Sequence, residues 1–185
     1  SKKSWWKRLF LSSSYYFDND KHILLNNLKP LKYLGISHKN VQIMAHFKEN
    51  VDEAISKKLL LLGINSFFIF HPSAQYEYKI YPKKLRNELL QLLDSINIPI
   101  IITGSKNIID TKIKSEIPEL KNIFNWIGET SIEEFIALSE KSLAYIGMDT
   151  LNMHIATSQD KNVFAIFGPT NLKMWSPWSN QVKSS

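Results

Sequence analysis

Five stretches of the sequence set small residues beside hydroxyl or charged ones: His71-Pro72-Ser73, Thr103-Gly104-Ser105, Gly128-Glu129-Thr130-Ser131, Gly147-Met148-Asp149-Thr150 and Gly168-Pro169-Thr170. Each follows a largely apolar run. Glycine lets a backbone approach a ligand closely. Ser, Thr and Asp open helices, whose free N–H groups and dipole favour an anion, usually a phosphate. Gathered on one edge of a sheet, these loops would suit a nucleotide-type ligand. The same residues are also ordinary strand ends and caps in any α/β protein. No G-x-x-x-x-G-K-[ST], G-x-G-x-x-G, H-E-x-x-H or G-x-S-x-G occurs, which argues against a P-loop NTPase and a common dinucleotide-binding dehydrogenase. The histidines at 22, 38, 46, 71 and 154 lack metal-ligand spacing, and the absence of cysteine excludes disulfides, thiolate metal sites and cysteine nucleophiles.

The elements that must position these loops are legible from periodicity. Leu24, Leu28 and Leu31 mark a helix over 22–34, with Pro30 kinking it and Gly35 capping it. Asn50 and Glu53 form a possible capping box for a helix over 51–62, stopped by Gly63. Phe67–Phe70 reads as a strand, and Pro82 opens a helix with Leu85, Leu89, Leu92, Leu93 and Ile96 on one face. Residues 98–102 form the next strand, 107–116 a weaker helix and 123–127 a third strand. Ser131 and Glu134 make a second capping box for a helix to about 141, followed by a strand over 143–146, a helix over 150–158 and a last strand over 163–167. Strands apolar on both faces, alternating with amphipathic helices, imply a Rossmann-like, doubly wound α/β domain with a parallel sheet. All five polar loops then share the carboxyl edge, where open α/β sheets bind ligands.

Of 185 residues, 44% are hydrophobic, enough for a real core, and no apolar run approaches the roughly 20 residues of a membrane span. The net charge is +6, all of it within residues 1–40, which hold eight Lys/Arg against two Asp/Glu. Residues 41–185 hold fifteen of each. That balance opposes a nucleic-acid-binding role, which needs a basic face. The charge step and the loop near 36–41 divide the chain into residues 1–40, which are basic, and residues 41–185, the α/β domain.

Three segments taken together are more specific. His71-Pro72-Ser73 is followed by Lys79-Ile80-Tyr81-Pro82; then comes Gly128-Glu129-Thr130-Ser131-Ile132-Glu133-Glu134; then Gly147-Met148-Asp149-Thr150-Leu151-Asn152-Met153-His154-Ile155-Ala156, with Phe167-Gly168-Pro169-Thr170. Over roughly residues 66–170 their order and spacing resemble the C-terminal domain of glycosyltransferase family nine, the bacterial heptosyltransferases of the lipopolysaccharide inner core. The resemblance implies half of a GT-B fold. It implies a nucleotide-sugar donor, typically ADP-heptose, and inverting transfer to a lipid-linked saccharide without a metal or other cofactor. It places the general base, an Asp, in an N-terminal loop upstream of Ser1. On this reading residues 1–40 are the end of the N-terminal, acceptor-side domain and its linker, and the 185 residues are part of a longer protein, incomplete at the C-terminus of the donor domain and inactive alone.

The resemblance also implies roles. Lys79 meets the donor phosphates and stabilises the charge gathering on the departing diphosphate. Asp149 is the expected N-cap of the following helix. The N–H groups of Thr150, Leu151 and Asn152 then face the phosphates, with the Thr150 hydroxyl beside them. The family often has Gly where Leu151 stands, and a side chain there restricts backbone approach. His154 could hold a sugar or phosphate oxygen, or be a structural histidine. Ser73 and Thr130 are hydroxyl donors or plain caps. Glu129 could meet a ribose or sugar hydroxyl, and Gly168 with Thr170 could close one wall.

Lys2, Lys3, Lys7 and Arg8 beside Trp5, Trp6, Leu9, Phe10 and Leu11 suit an anionic membrane surface, and equally an ordinary amphipathic helix. With the lipid acceptor, this places the protein in the cytoplasm of a Gram-negative bacterium, peripheral at the inner membrane. Alternatives are a nucleotide-sugar 2-epimerase-like enzyme of the same fold and a non-catalytic nucleotide-binding module.

Overall fold

A computed structural model of the protein describes residues 15–37 and 41–178. It folds as two compact units: one from Ser1–Val41 and Thr170–Ser176, the other from Gln42–Pro169 and Pro177–Ser185.

In the first unit, helix α1 (Ile23–Tyr33) carries Pro30 in its interior. It ends where Gly35 adopts φ +71°. The Gly35 N–H reaches the Lys32 carbonyl and the Ile36 N–H the Leu31 carbonyl, the crossed pair of a glycine-terminated helix. Buried Asn26 ties down the preceding loop: its Nδ2 donates to the Asp18 and Lys21 carbonyls, and its Oδ1 accepts from the Asp18 N–H. The sequence reading continues the second domain unbroken to 185. In the structure Thr170–Ser176, with the short helix α7 (Leu172–Trp175), packs in the first unit. Three side chains hold it there: Asn171 donates to the Asn19 carbonyl, Lys173 pairs with Asp20 at 2.9 Å, and His22 Nε2 lies 2.8 Å from the Ser176 carbonyl.

The second unit is the doubly wound α/β domain the sequence implies. Its strands are β1 (Phe68–His71), β2 (Ile100–Ile102), β3 (Ile123–Asn125), β4 (Ala144–Met148) and β5 (Asn162–Ile166). All pair in parallel, in the order β3-β2-β1-β4-β5. Between them run α3 (Lys83–Asp94), α4 (Ile108–Glu116), α5 (Ile132–Lys141) and α6 (Leu151–Ser158), with α2 (Glu49–Leu61) ahead of β1. Strand order reverses between β1 and β4, so the crevice beyond their carboxyl ends is the topological switch point. One core lies between the sheet and α2, α5 and α6, around Ile69, Ile101, Tyr145 and Leu138. The other lies against α3 and α4, around Phe70, Leu90, Ile102 and Ile113.

The Ser131–Glu134 capping box forms as expected. Asn50 and Glu53 do not form theirs. Helix α2 starts earlier, at Glu49, and the Lys48 N–H donates instead to Glu133 Oε1 at 3.0 Å. On α3 the buried stripe is Arg86, Leu90 and Leu93, while Leu85, Leu92 and Ile96 of the expected face lie exposed.

Gly147 makes the switch point possible. It stands opposite His71 in the β1–β4 register, and a Cβ there would lie 2.5 Å from the His71 carbonyl oxygen and 3.0 Å from Tyr145 Oη. Backbone cannot yield as a flexible side chain can. Gly147→Ala is therefore expected to destabilise the protein by about 1–3 kcal/mol, the cost of overpacking. Thermal unfolding measures it, and an unchanged melting temperature would refute so tight an approach.

Candidate functional site

Beyond the carboxyl ends of β1, β2 and β4 lies a cleft of about 470 Å³. Its walls come from the loops after β1 (His71, Ser73, Tyr76, Lys79), after β2 (Thr103, Ser105, Asp110), before α5 (Thr130, Ser131) and at the start of α6 (Asp149, Thr150, Leu151, Asn152). Seven sequence-predicted residues thus meet in one place: Ser73, Lys79, Thr130, Asp149, Thr150, Leu151 and Asn152.

Lys79 ends a 3₁₀ turn (Glu77–Lys79) that the periodicity did not reveal. Its Nζ sits 3.4 Å from Asp149 Oδ2, in a partly buried pair. This pairing removes Asp149 from its expected place as N-cap. The ammonium holds the carboxylate, and Thr150 takes the N-cap position with extended backbone and no side-chain cap bond. Among the described residues, the first N–H groups of α6 therefore have no capping side chain, and they open the helix near the Lys79–Asp149 pair. Gly168 backs this arrangement, its Cα facing the Lys79 backbone closely enough that an added Cβ would lie 3.4 Å from Lys79 Cα.

Ser73 is buried, and its hydroxyl donates to Asp110 Oδ1. Asp110 Oδ2 accepts from the Ser105 N–H, and the Asp110 N–H donates to Asn107 Oδ1 at 2.7 Å. The Ser73 proton is thus committed. Its oxygen can accept from a ligand O–H or N–H but has nothing to give an ionised phosphate. An anion is therefore better served by the Lys79 ammonium and the N–H groups of α6 than by Ser73.

His71, 8% exposed, sits on the floor of the cleft with its ring stacked 6.5 Å from Tyr145. Its Nδ1 accepts from Asn152 Nδ2 at 3.1 Å and lies 3.1 Å from Thr103 Oγ1. Burial pushes the imidazole down to about 4, against the opposing pull of the Asp110 carboxylate. The ring is therefore uncharged at neutral pH. Burial likewise raises the Tyr145 phenol, whose Oη donates to the Met148 carbonyl at 3.2 Å.

Other expected residues lie elsewhere. Glu129 points away from the cleft, to Lys114 at 3.1 Å and Lys58 at 3.3 Å, and Lys58 itself stacks 3.7 Å over Trp126. Burial works to raise its carboxyl, but the two ammonium groups outweigh burial and hold it below the usual range. His154 belongs to α6 but does not line the cleft. Thr170 falls in the first unit, where its buried hydroxyl has no hydrogen-bond partner among the described residues. Residues 1–11 lie outside the described residues. Sequence reasoning assigned no role to His71, Thr103 or Asp110. Asn107-x-x-Asp110 at the start of α4 was the available signal, since a carboxylate at the third helical position beside a capping Asn is held at the strand end. Among the described residues, no helix is long and apolar enough to cross a membrane.

A parallel sheet with cationic and N–H donors at its switch point makes this a doubly wound α/β domain whose carboxyl edge offers an anion site. A family model described as glycosyltransferase family 9 (heptosyltransferase) matches residues 10–185, and the chain belongs to that family. Lipopolysaccharide heptosyltransferase 3 of Escherichia coli K12 is 25% identical over 165 residues, covering 87% of this chain and 48% of the relative. Among solved structures, the family 9 glycosyl transferase of Veillonella parvula superposes with a TM-score of 0.81 at 16% identity, over 92% of this chain and 51% of that one. The E. coli heptosyltransferase WaaC, solved with ADP, gives 0.66 at 18% identity, over 92% and 52%. The chain spans about half the length of the curated relatives it matches.

Proposed function

We propose that the protein is the donor-binding part of a GT-B heptosyltransferase. It takes a nucleotide sugar, ADP-heptose, and serves transfer of the heptose to a lipid-linked saccharide of the lipopolysaccharide inner core. The observation that carries this reading is the meeting of Lys79 with the uncapped start of α6 inside one cleft at the switch point. An acceptor hydroxyl attacks the anomeric carbon from the face opposite the diphosphate, so configuration inverts. The glycosidic C–O bond breaks and its electron pair leaves on the diphosphate. Lys79 and the α6 N–H groups stabilise that growing charge. The hydroxyl proton passes to a general base, an Asp supplied by the acceptor-side domain. The basic, aromatic residues 1–11 bring the enzyme to the anionic cytoplasmic face of the inner membrane, where the acceptor lies.

Calorimetry with ADP-heptose, ADP and UDP-sugars tests the reading. ADP-heptose and ADP are expected to bind with one-to-one stoichiometry and to compete with each other. A folded protein that binds no nucleotide sugar would end it, and preference for a UDP-sugar would keep the fold but reassign the donor.

A further inference from the structure

His71 carries more than the strand end it occupies. Its ring is more than nine-tenths buried, yet it lines the cleft. Nδ1 is engaged by Asn152 Nδ2 and lies beside Thr103 Oγ1, and the Thr103 backbone and the Asp110 carboxylate also act on the ring. Among the described residues no side-chain hydrogen bond is made by Nε2, and the residue lines the cleft. An amide NH₂ can only donate, so the nitrogen that receives it must carry a lone pair. In an uncharged imidazole the single proton then resides on the other nitrogen.

We infer that His71 is a ligand-binding residue. Asn152 fixes its tautomer with the proton on Nε2, and that N–H donates to a phosphate oxygen of the bound nucleotide sugar. Three features support this. The uncharged ring stays a single-proton donor across neutral pH, because burial holds its pKa near 4. Stacking against Tyr145 and the bond to Asn152 orient the ring at the switch point. Asn152 belongs to the first turn of α6, so the residue that orients the imidazole also moves with the N–H groups facing the phosphate. His71 thereby adds a donor without adding charge, in a cleft that already holds the Lys79 ammonium. Asn152 is a positioning residue that acts through His71.

This inference rests on the donor-site reading above, and the test separates the two. Two-bond ¹H–¹⁵N correlation spectra of the purified protein report which imidazole nitrogen is protonated. Wild type is expected to show the Nε2–H tautomer, and the Nε2 signal should shift progressively with added ADP until saturation. His71→Phe keeps the aromatic stack but has no donor, and its ADP affinity should fall about tenfold or more, the usual effect of losing a bond to a charged acceptor. Asn152→Leu should leave a mixture of tautomers and an intermediate loss. An Nδ1–H tautomer, with Asn152 turned to accept, overturns the inference. So does saturating ADP binding that leaves the Nε2 signal in place, although the donor-site reading then survives. Failure to bind ADP at all overturns both. If His71→Phe does not fold, the wild-type spectra alone decide.

Discussion

In the full-length enzyme, which carries the general base, Lys79→Ala is expected to cut turnover of ADP-heptose by about 10²–10³-fold, while weakening ADP-heptose binding only about tenfold. The difference between these losses follows from where charge develops. On the proposed donor role, the diphosphate already carries its charge in the ground state, and the α6 N–H groups would hold it together with Lys79. In the transition state further charge arrives on the leaving oxygen, and only a mobile ammonium can follow it. The variant has a second consequence. Asp149 is 3.4 Å from the Lys79 ammonium, and its side chain is only 8% exposed. Without Lys79 a largely buried carboxylate would stand unpaired in the same cleft as the diphosphate, and like charges repel. Lys79→Ala should therefore lose more binding than the contact alone accounts for, and Asp149→Asn in the same chain should restore part of it. Binding and steady-state kinetics on the two single variants and the double variant give the coupling directly. If the double variant binds no better than Lys79→Ala, Asp149 is not the repulsive partner. If Lys79→Ala leaves turnover intact, Lys79 has no role in leaving-group stabilisation.

The frame of this protein was legible because local rules decide it. Apolar runs such as Phe67–Phe70 and Ile100–Ile102 have no choice but to be buried strands, and Gly35, Gly63 and the Ser131–Glu134 box end or begin helices where their backbone chemistry requires. The loops on the carboxyl edge follow from that frame. What local rules could not supply was the partner of each polar side chain, because the partner lies far along the chain. Asp149 looks like an N-cap until Lys79, 70 residues away, takes its carboxylate. Glu129 looks like a ligand residue until Lys58, 71 residues away, turns it aside. Ser73 reads as a hydroxyl donor until Asp110, 37 residues away, claims its proton. His71 reads as the polar end of a strand until Asn152, 81 residues away, reaches its ring. Each is a long-range pairing between loops that the parallel sheet gathers at one edge.

The same cause explains the misjudged face of α3 and yields the largest expected effect on stability. Leucine spacing favoured a stripe through Leu85 and Leu92, yet Arg86 is 1% exposed and those leucines face outward. Arg86 Nη2 donates to Glu116 Oε2 at 3.0 Å and Nε to Asn87 Oδ1 at 3.2 Å, so the end of α4 draws the guanidinium inward. The two halves of this pair should not be equivalent. Glu116 stands at the edge, 20% exposed and with Lys83 3.6 Å away, so it remains hydrated and partly paired without Arg86. Arg86 has no such recourse. Glu116→Ala leaves a buried guanidinium without its carboxylate and is expected to cost about 3 kcal/mol, or roughly 6–12 °C in melting temperature. Arg86→Met fills similar space without charge and should cost less than about 1 kcal/mol. The Arg86 hydrogen bond holds the Glu116 carboxyl below its ordinary 4.5. A lowered carboxylate stabilises above that value and loses its contribution as pH falls through the folded value. Acid unfolding should therefore soften below about pH 4.5 in wild type, with that step missing in Glu116→Ala. The buried, uncharged His71 weakens the fold in a separate window, between its ordinary 6.5 and about 4, where the unfolded chain takes up the proton first. Equal losses of melting temperature from Glu116→Ala and Arg86→Met would show that Arg86 is hydrated rather than buried against α4.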